Sequence, residues 1–411
     1  MSLIKQNIKD LLPSSTLLIN EKCKDMAKDG KKIYQFGFGQ SPFPVPKKII
    51  KALQINAYQK DYLPSKGLLK LRKSISNFLT KKGYLNLNHE NIIIGPGSKE
   101  LMFLLQIVFD GEIILPVPSW VSYAPQAIIA KNKFHWIETN KGSNWHVTPE
   151  DIDKIVSKIQ SRNKLIILNS PNNPSGTNIH LLKELGEVFT KHNITVLSDE
   201  IYSELYFKNN YKSISHFHEN TIVSSSLSKW AGAGGWRVGY FAVPNNLIEI
   251  FEKLAVLGTE TFSAVSSPTQ FAAITAYDED HSEYLNKSKK ILKVISNYIY
   301  EQLKKINVDI KKPEGGFYLM PDFTKLLNKK FKNSKIFCKI LLDETGVAVL
   351  PGTDFGFSPH KLIFRLSYVD FNGTAFLKVN DQDITEKNLI IYAPKIVDGI
   401  KEIVNFTKKY S

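Results

Sequence analysis

The sequence predicts an α/β fold, and three observations carry that expectation. Apolar runs of strand length (NIII, EIILPV, KLIILN, ITVLSD) each end in a turn of Gly, Pro, Asn or Asp. Strands buried on both faces of a parallel sheet read as continuous runs of this kind, without polar alternation. The first run leads through a Gly-Pro-Gly turn into a helical pattern, SKELMFLLQIVF, the strand–turn–helix unit of α/β proteins. Finally, 411 residues can bury a large core and should form two or more lobes.

Composition narrows the class. Hydrophobic residues make up 43% and charged residues 23%, as in an ordinary soluble globular protein. The formal charge of +15 invites a nucleic-acid reading, but the lysines are scattered in short pairs such as Lys47-Lys48, Lys81-Lys82 and Lys311-Lys312. No basic run interleaves with aromatics, so neither nucleic acid nor a membrane is expected as a partner. Two cysteines, Cys23 and Cys338, cannot build a disulfide framework or a thiolate metal cage, and no metal is expected. The N-terminus lacks the apolar core of a secretory signal, and no stretch reaches 18 uninterrupted apolar residues. A cytoplasmic location is the expectation.

Taken in order, residues 1–35 read as helices around Pro13, with Ser14 or Ser15 as cap and Gly30 as stop. YQFGFGQSPFPVP is an irregular loop, whose Gly39 is either a turn glycine or a point of close approach to a ligand. A short helix spans 46–55, and another runs from about Gly67 to Gly83, with Tyr62 before it. After the strand at 92–94, Gly97, Ser98 and Lys99 lie at a helix N-terminus, where free N–H groups and the dipole suit a phosphate. Trp120 follows a buried strand at the sheet edge where α/β proteins bind ligands; it is a stacking platform or a core residue. Asn173 sits in the turn NNPSG. Asp199 ends an apolar strand with Tyr202 three residues on; such a carboxylate needs a cation unless it caps a helix. A long helix is expected over 282–305 and a last amphipathic helix over 393–409. Arg365 lies inside an apolar strand, where it must meet an internal carboxylate or a ligand.

Residues 221–240, TIVSSSLSKWAGAGGWRVGY, are the centre of the chain. A strand feeds a loop holding Ser226, Ser228, Lys229 and Arg237. Hydroxyls and a guanidinium can grip a phosphate, and the amine can attack a carbonyl. The ligand this suits is phosphorylated and carries a reactive carbonyl.

The order Gly39, Tyr62, Gly97-Ser98-Lys99, Trp120, Asn173, Asp199, Tyr202, Ser226, Lys229, Arg237, Arg365, over residues 14–370, resembles the pyridoxal 5'-phosphate (PLP) aminotransferases of the aspartate aminotransferase family, class I/II, fold type I. The resemblance implies a large domain (46–285) with a mostly parallel seven-stranded sheet between helices. It implies a smaller α+β domain from both chain ends: an arm over 1–45 and a C-terminal part over 286–411, joined by a helix over 286–306. It implies a homodimer in which Tyr62 reaches the partner's cofactor phosphate. Lys229 would carry PLP covalently and move protons, and Asp199 would face the pyridine nitrogen. Asn173 and Tyr202 would meet the phenolic oxygen, and Trp120 would stack on the ring. Ser226, Arg237 and Gly97-Ser98-Lys99 would hold the phosphate. Gly39 and Arg365 would receive the substrate α-carboxylate, with Trp120 and Asn173 beside it and Lys99 reaching a distal carboxylate. The activity implied is amino transfer between an amino acid and a 2-oxo acid, of aspartate/glutamate type. A PLP-dependent lyase or synthase on the same scaffold is the alternative. Gln40, Ser170 and Ser175 depart from the family pattern, and residues 371–395 form a longer step than usual with no functional reading.

Overall fold

The structure, a computed structural model, describes residues 3–84 and 87–411. A helix over Ser15–Lys28 leads to a short strand, β1 (Tyr34–Gln35). The central sheet then forms from β2 (Ile92–Gly95), β3 (Glu112–Val117), β4 (Phe134–Glu138), β5 (Lys164–Asn169), β6 (Ile194–Asp199), β7 (Thr221–Ser226) and β8 (Gly239–Ala242). Their spatial order is β2-β8-β7-β6-β5-β3-β4, and β8 alone runs against its neighbours. The unbroken apolar runs are explained by burial on both faces. One face packs on Leu101, Leu105 and Phe251, the other on Ile152, Leu185 and Phe189.

A second layer of small sheets comes from the later chain. β9 (Tyr318–Leu319), β10 (Val347–Ala348), β11 (Leu350–Pro351) and β12 (Phe364–Ser367) follow; β11, β12 and β9 pair antiparallel in that order. β10 pairs instead with β1, Tyr34 opposite Val347, so the early chain packs with the late chain. The helix over Ser282–Lys305 has the ends its pattern predicts, and so begins before the linking helix of 286–306 that the resemblance implied. Its buried stripe, Ile291, Leu292, Ile295, Ile299 and Leu303, keeps the spacing of three and four that drew the expectation.

Two local expectations are corrected. Before Pro13 the chain makes a single 3₁₀ turn, Gln6–Ile8, and not an α-helix. That segment buries no residue against the fold, so nothing offsets the cost of nucleating a longer helix. Ser14 stands at the N-cap of the next helix but makes no capping bond, and it lines the cleft described below. Residues 371–395 form short helical pieces, including Gly373–Phe376 and Leu389–Tyr392. Phe376, Ile384 and Leu389 are buried in the main core, which makes this stretch a packing element. No helix among the described residues is long and apolar enough to cross a membrane.

Candidate active site

The site forms where the parallel strands end. Consecutive strands deliver their turns to one edge: Trp120 after β3, Asn173 after β5, Asp199 at the tip of β6, Lys229 after β7. Together with Gly39, Ser98, Lys99, Tyr202 and Arg365 these residues line one cleft of about 230 Å³.

Lys229 donates from Nζ to the Gly39 carbonyl oxygen at 2.7 Å and lies over the rings of Tyr202 (5.8 Å) and Phe317 (5.6 Å). Asp199 is buried, and burial pushes its carboxyl up to about 6. The Tyr123 hydroxyl, the Ile201 amide and the Lys229 charge pull the other way. Tyr123 donates to Oδ2 at 2.6 Å. No ion pair to Asp199 forms among the described residues; the Lys229 charge acts on this cleft-lining carboxylate without pairing with it.

Asn169, the last residue of β5, ties two turns together. Its Oδ1 accepts from the Asn173 amide at 2.6 Å and its Nδ2 donates to the Asp199 carbonyl at 2.8 Å. Arg365 is 1% exposed. It donates to Asn173 Oδ1 at 3.0 Å and to the Gly37 carbonyl at 2.6 Å, and its planar group lies 4.6 Å from the Tyr318 ring centre. Its Nε has no partner. A buried guanidinium with no carboxylate ion pair among the described residues and with a free N–H is suited to receive an anion.

Gly97, Ser226 and Arg237 sit beside this cleft and not on its wall. Gly97 has φ +81°, and a Cβ there would overlap the Arg237 guanidinium, so glycine lets the guanidinium reach the start of the helix over Ser98–Val108. Arg237 donates to the carbonyls of Gly234 (2.8 Å) and Pro96 (3.0 Å). Ser226 is fully buried, and its Oγ accepts from the Ser228 amide at 3.1 Å. Lys99 is held below the usual lysine range by burial and by Arg237, so two cations crowd one helix N-terminus with no anion between them. Tyr62 stands apart: it is 91% exposed and outside this chain's cleft.

Residues 31–372 match the family model of aminotransferase class I and II. The chain belongs to this family. Among its relatives, the aspartate aminotransferase of Bacillus subtilis is 33% identical over 379 residues, 89% of this chain and 94% of that protein. The asparagine–oxo-acid transaminase of Streptococcus mutans is 30% identical over 90% of this chain and 95% of its own. The crystal structure of the aspartate aminotransferase from Rhizobium meliloti superposes with a TM-score of 0.86 over the whole of both chains at 24% identity, which speaks to the fold. The seven-stranded, mostly parallel sheet is the one the resemblance implied.

A class I/II aminotransferase is PLP-dependent, and the residues present fit that cofactor. Lys99 and Arg237, which form no ion pair among the described residues, suit its phosphate, and Asp199, which forms none either, suits its ring nitrogen. The cleft between them holds the amine of Lys229.

Sequence reasoning missed three members of this aminotransferase site. Tyr123 lies one helical turn past Trp120, in SYAPQ, a position that reads as ordinary packing. Asn169 closes its strand with an amide, a turn-forming signal that was legible. Tyr318, in GGFYLM, lines the cleft with its hydroxyl 3.0 Å from that of Tyr202.

Proposed function

We propose that this aminotransferase acts on acidic substrates, moving the amino group of aspartate or glutamate to a 2-oxo acid, with the site roles that follow. The observation that supports it is the single cleft shared by the Lys229 amine, the Asp199 carboxylate and the free edge of Arg365.

When bound, PLP supplies an aldehyde that condenses with amines and a ring that accepts electrons from the substrate α-carbon. Lys229 is the amine that holds it. The free amine of Lys229 would take the substrate's α-proton and later return one, a general base then acid worth about 10²- to 10⁴-fold. Its bond to the Gly39 carbonyl keeps Nζ in the cleft meanwhile. Asp199 would face the ring nitrogen; a protonated nitrogen there would supply the cation that its burial calls for and keep it ionised. The amides of Gly97, Ser98 and Lys99, with Ser226 and Arg237, would hold the cofactor's phosphate, Trp120 would flank its ring, and Asn173 and Tyr202 would meet its phenolic oxygen. Arg365 orients the α-carboxylate, beside Gly39 and Asn173.

Lys99 lines the cleft with its Nζ 5.4 Å from the Trp120 ring centre, within reach of a distal carboxylate. The names of several relatives, aspartate aminotransferases, point the same way. Screening amino donors against 2-oxoglutarate, with glutamate assayed against oxaloacetate, tests this reading. Aspartate or glutamate should lead the ranking, and no turnover with either would refute it.

We further propose the homodimer, with Tyr62 reaching the partner's phosphate site. Its 91% exposure, beside Tyr58 at 74%, leaves an aromatic surface for a second copy to cover. The division into an arm (1–45), a large domain (46–285) and a small domain (286–411) is supported by the pairing of β1 with β10.

A further inference from the structure

Tyr318 is a buried phenol whose environment is unusually specified. Gly39 lies against its hydroxyl, and a Cβ at that position would overlap the phenol oxygen. Its ring is edge-on to that of Tyr202, with centroids 5.6 Å apart and planes at 83°. The Tyr202 hydroxyl donates to the Tyr318 oxygen at 3.0 Å. A phenol hydrogen rotates about its C–O bond, and each oxygen both donates and accepts. The order of the pair is therefore reversible without any heavy-atom movement.

Resting on the reading above, in which Tyr202 donates to the phenolic oxygen of PLP, we propose that Tyr318 is a positioning residue for Tyr202. When Tyr202 turns its hydrogen toward the cofactor, it no longer donates to Tyr318, and no hydrogen stands between the two oxygens. Tyr318 then rotates its own hydrogen onto the Tyr202 oxygen. A donor that itself accepts a hydrogen bond is a stronger donor. The chain Tyr318 to Tyr202 to the anionic cofactor oxygen stabilises the deprotonated chromophore more than Tyr202 does alone. The groups facing the pair are Asp199 at the tip of β6, Lys229 over the Tyr202 ring, Arg365 over the Tyr318 ring with Asp354 beyond it, and Tyr368, whose hydroxyl donates to the Gly316 carbonyl. None of them accepts a bond from the Tyr318 hydroxyl, which leaves its hydrogen for Tyr202.

The test is a spectrophotometric pH titration of the bound cofactor in the holoenzyme, without substrate. It is run on wild type, Tyr202→Phe, Tyr318→Phe and the double variant. Removing a donor to an anionic oxygen raises the pH at which the chromophore deprotonates. Tyr202→Phe should shift the transition upward. Tyr318→Phe should shift it the same way by roughly a tenth to a third as much, the share cooperative strengthening supplies. In the Tyr202→Phe background, Tyr318→Phe should add nothing. A Tyr318→Phe curve overlaying wild type, or an equal shift in both backgrounds, overturns the proposal while leaving Tyr202 in place. No shift in Tyr202→Phe removes the reading beneath it as well. Tyr318→Phe keeps the ring contacts, and a melt unchanged within a few degrees certifies the fold of the titrated variant.

Discussion

Tyr123 donates its hydroxyl hydrogen to Oδ2 of Asp199 at 2.6 Å, across 76 residues of chain. Both groups are buried, and no other side chain among the described residues donates to this carboxylate. The bond keeps Asp199 more acidic than its burial alone would allow, and so keeps it ready for a cation. Tyr123→Phe should raise the Asp199 pKa and weaken its hold on a protonated ring nitrogen. A lost bond to a buried charged group costs about 1.5–3 kcal/mol, so kcat/KM should fall about 10- to 100-fold. Steady-state kinetics with matched cofactor occupancy would check this, and an unchanged kcat/KM would detach Tyr123 from the chemistry.

Lys229→Ala should yield a protein that cannot carry PLP covalently. Its visible absorbance should differ from that of wild type, and turnover should drop by at least about 10²-fold through loss of the proton carrier. Near-normal transamination by this variant would end the assignment.

Arg365→Lys should separate the charge of the guanidinium from its planar fork. Lysine cannot serve Asn173 and the Gly37 carbonyl while also presenting two parallel donors to a carboxylate. The expected result is a KM raised about 100-fold or more for every amino acid, with cofactor absorbance unaltered. A KM within a factor of three of wild type would place the α-carboxylate elsewhere.

The cofactor-free enzyme should lose stability as pH rises from about 4 to 7. Asp199 moves from an ordinary value of 3.8 to about 6, and Glu200 from 4.5 to about 7, each chiefly through burial. Both folded-state values lie above the unfolded ones, so the native state holds protons that the unfolded state has released. Stability is therefore highest below the unfolded values and is given up as pH climbs through the folded ones. Each group accounts for roughly 3 kcal/mol across its window at 1.36 kcal/mol per unit. Melts of the apoenzyme against pH should show the decline, less steeply in Asp199→Asn. A flat profile in both proteins contradicts it.

Glu200 has a further consequence. Ser198 donates to it at 2.7 Å, and Tyr84 and Ser213 also donate to it, all in a buried setting. Glu200→Ala would strand three hydroxyls and open a cavity behind Asp199. A loss of about 3 kcal/mol or more is expected in denaturant titration. A variant as stable as wild type would mean that water replaces the carboxylate.

The sequence by itself determined the elements and the order of the chemistry. The helix over Ser282–Lys305 was legible to its ends, because burial along one face repeats every three to four residues. Asp199, Lys229 and Arg365 were legible because charged side chains within or just after apolar strands have few bland uses. What the sequence left open is who stands opposite them. Tyr123 meets Asp199 because β3 and β6 both flank β5, and Tyr202 meets Tyr318 across 116 residues of chain. Arg365 was open to a carboxylate partner, and only the packing put a carbonyl and an amide there instead. Periodicity and propensity are local signals. Contacts between distant residues depend on sheet order and side-chain direction, and those exist only once the chain has closed on itself.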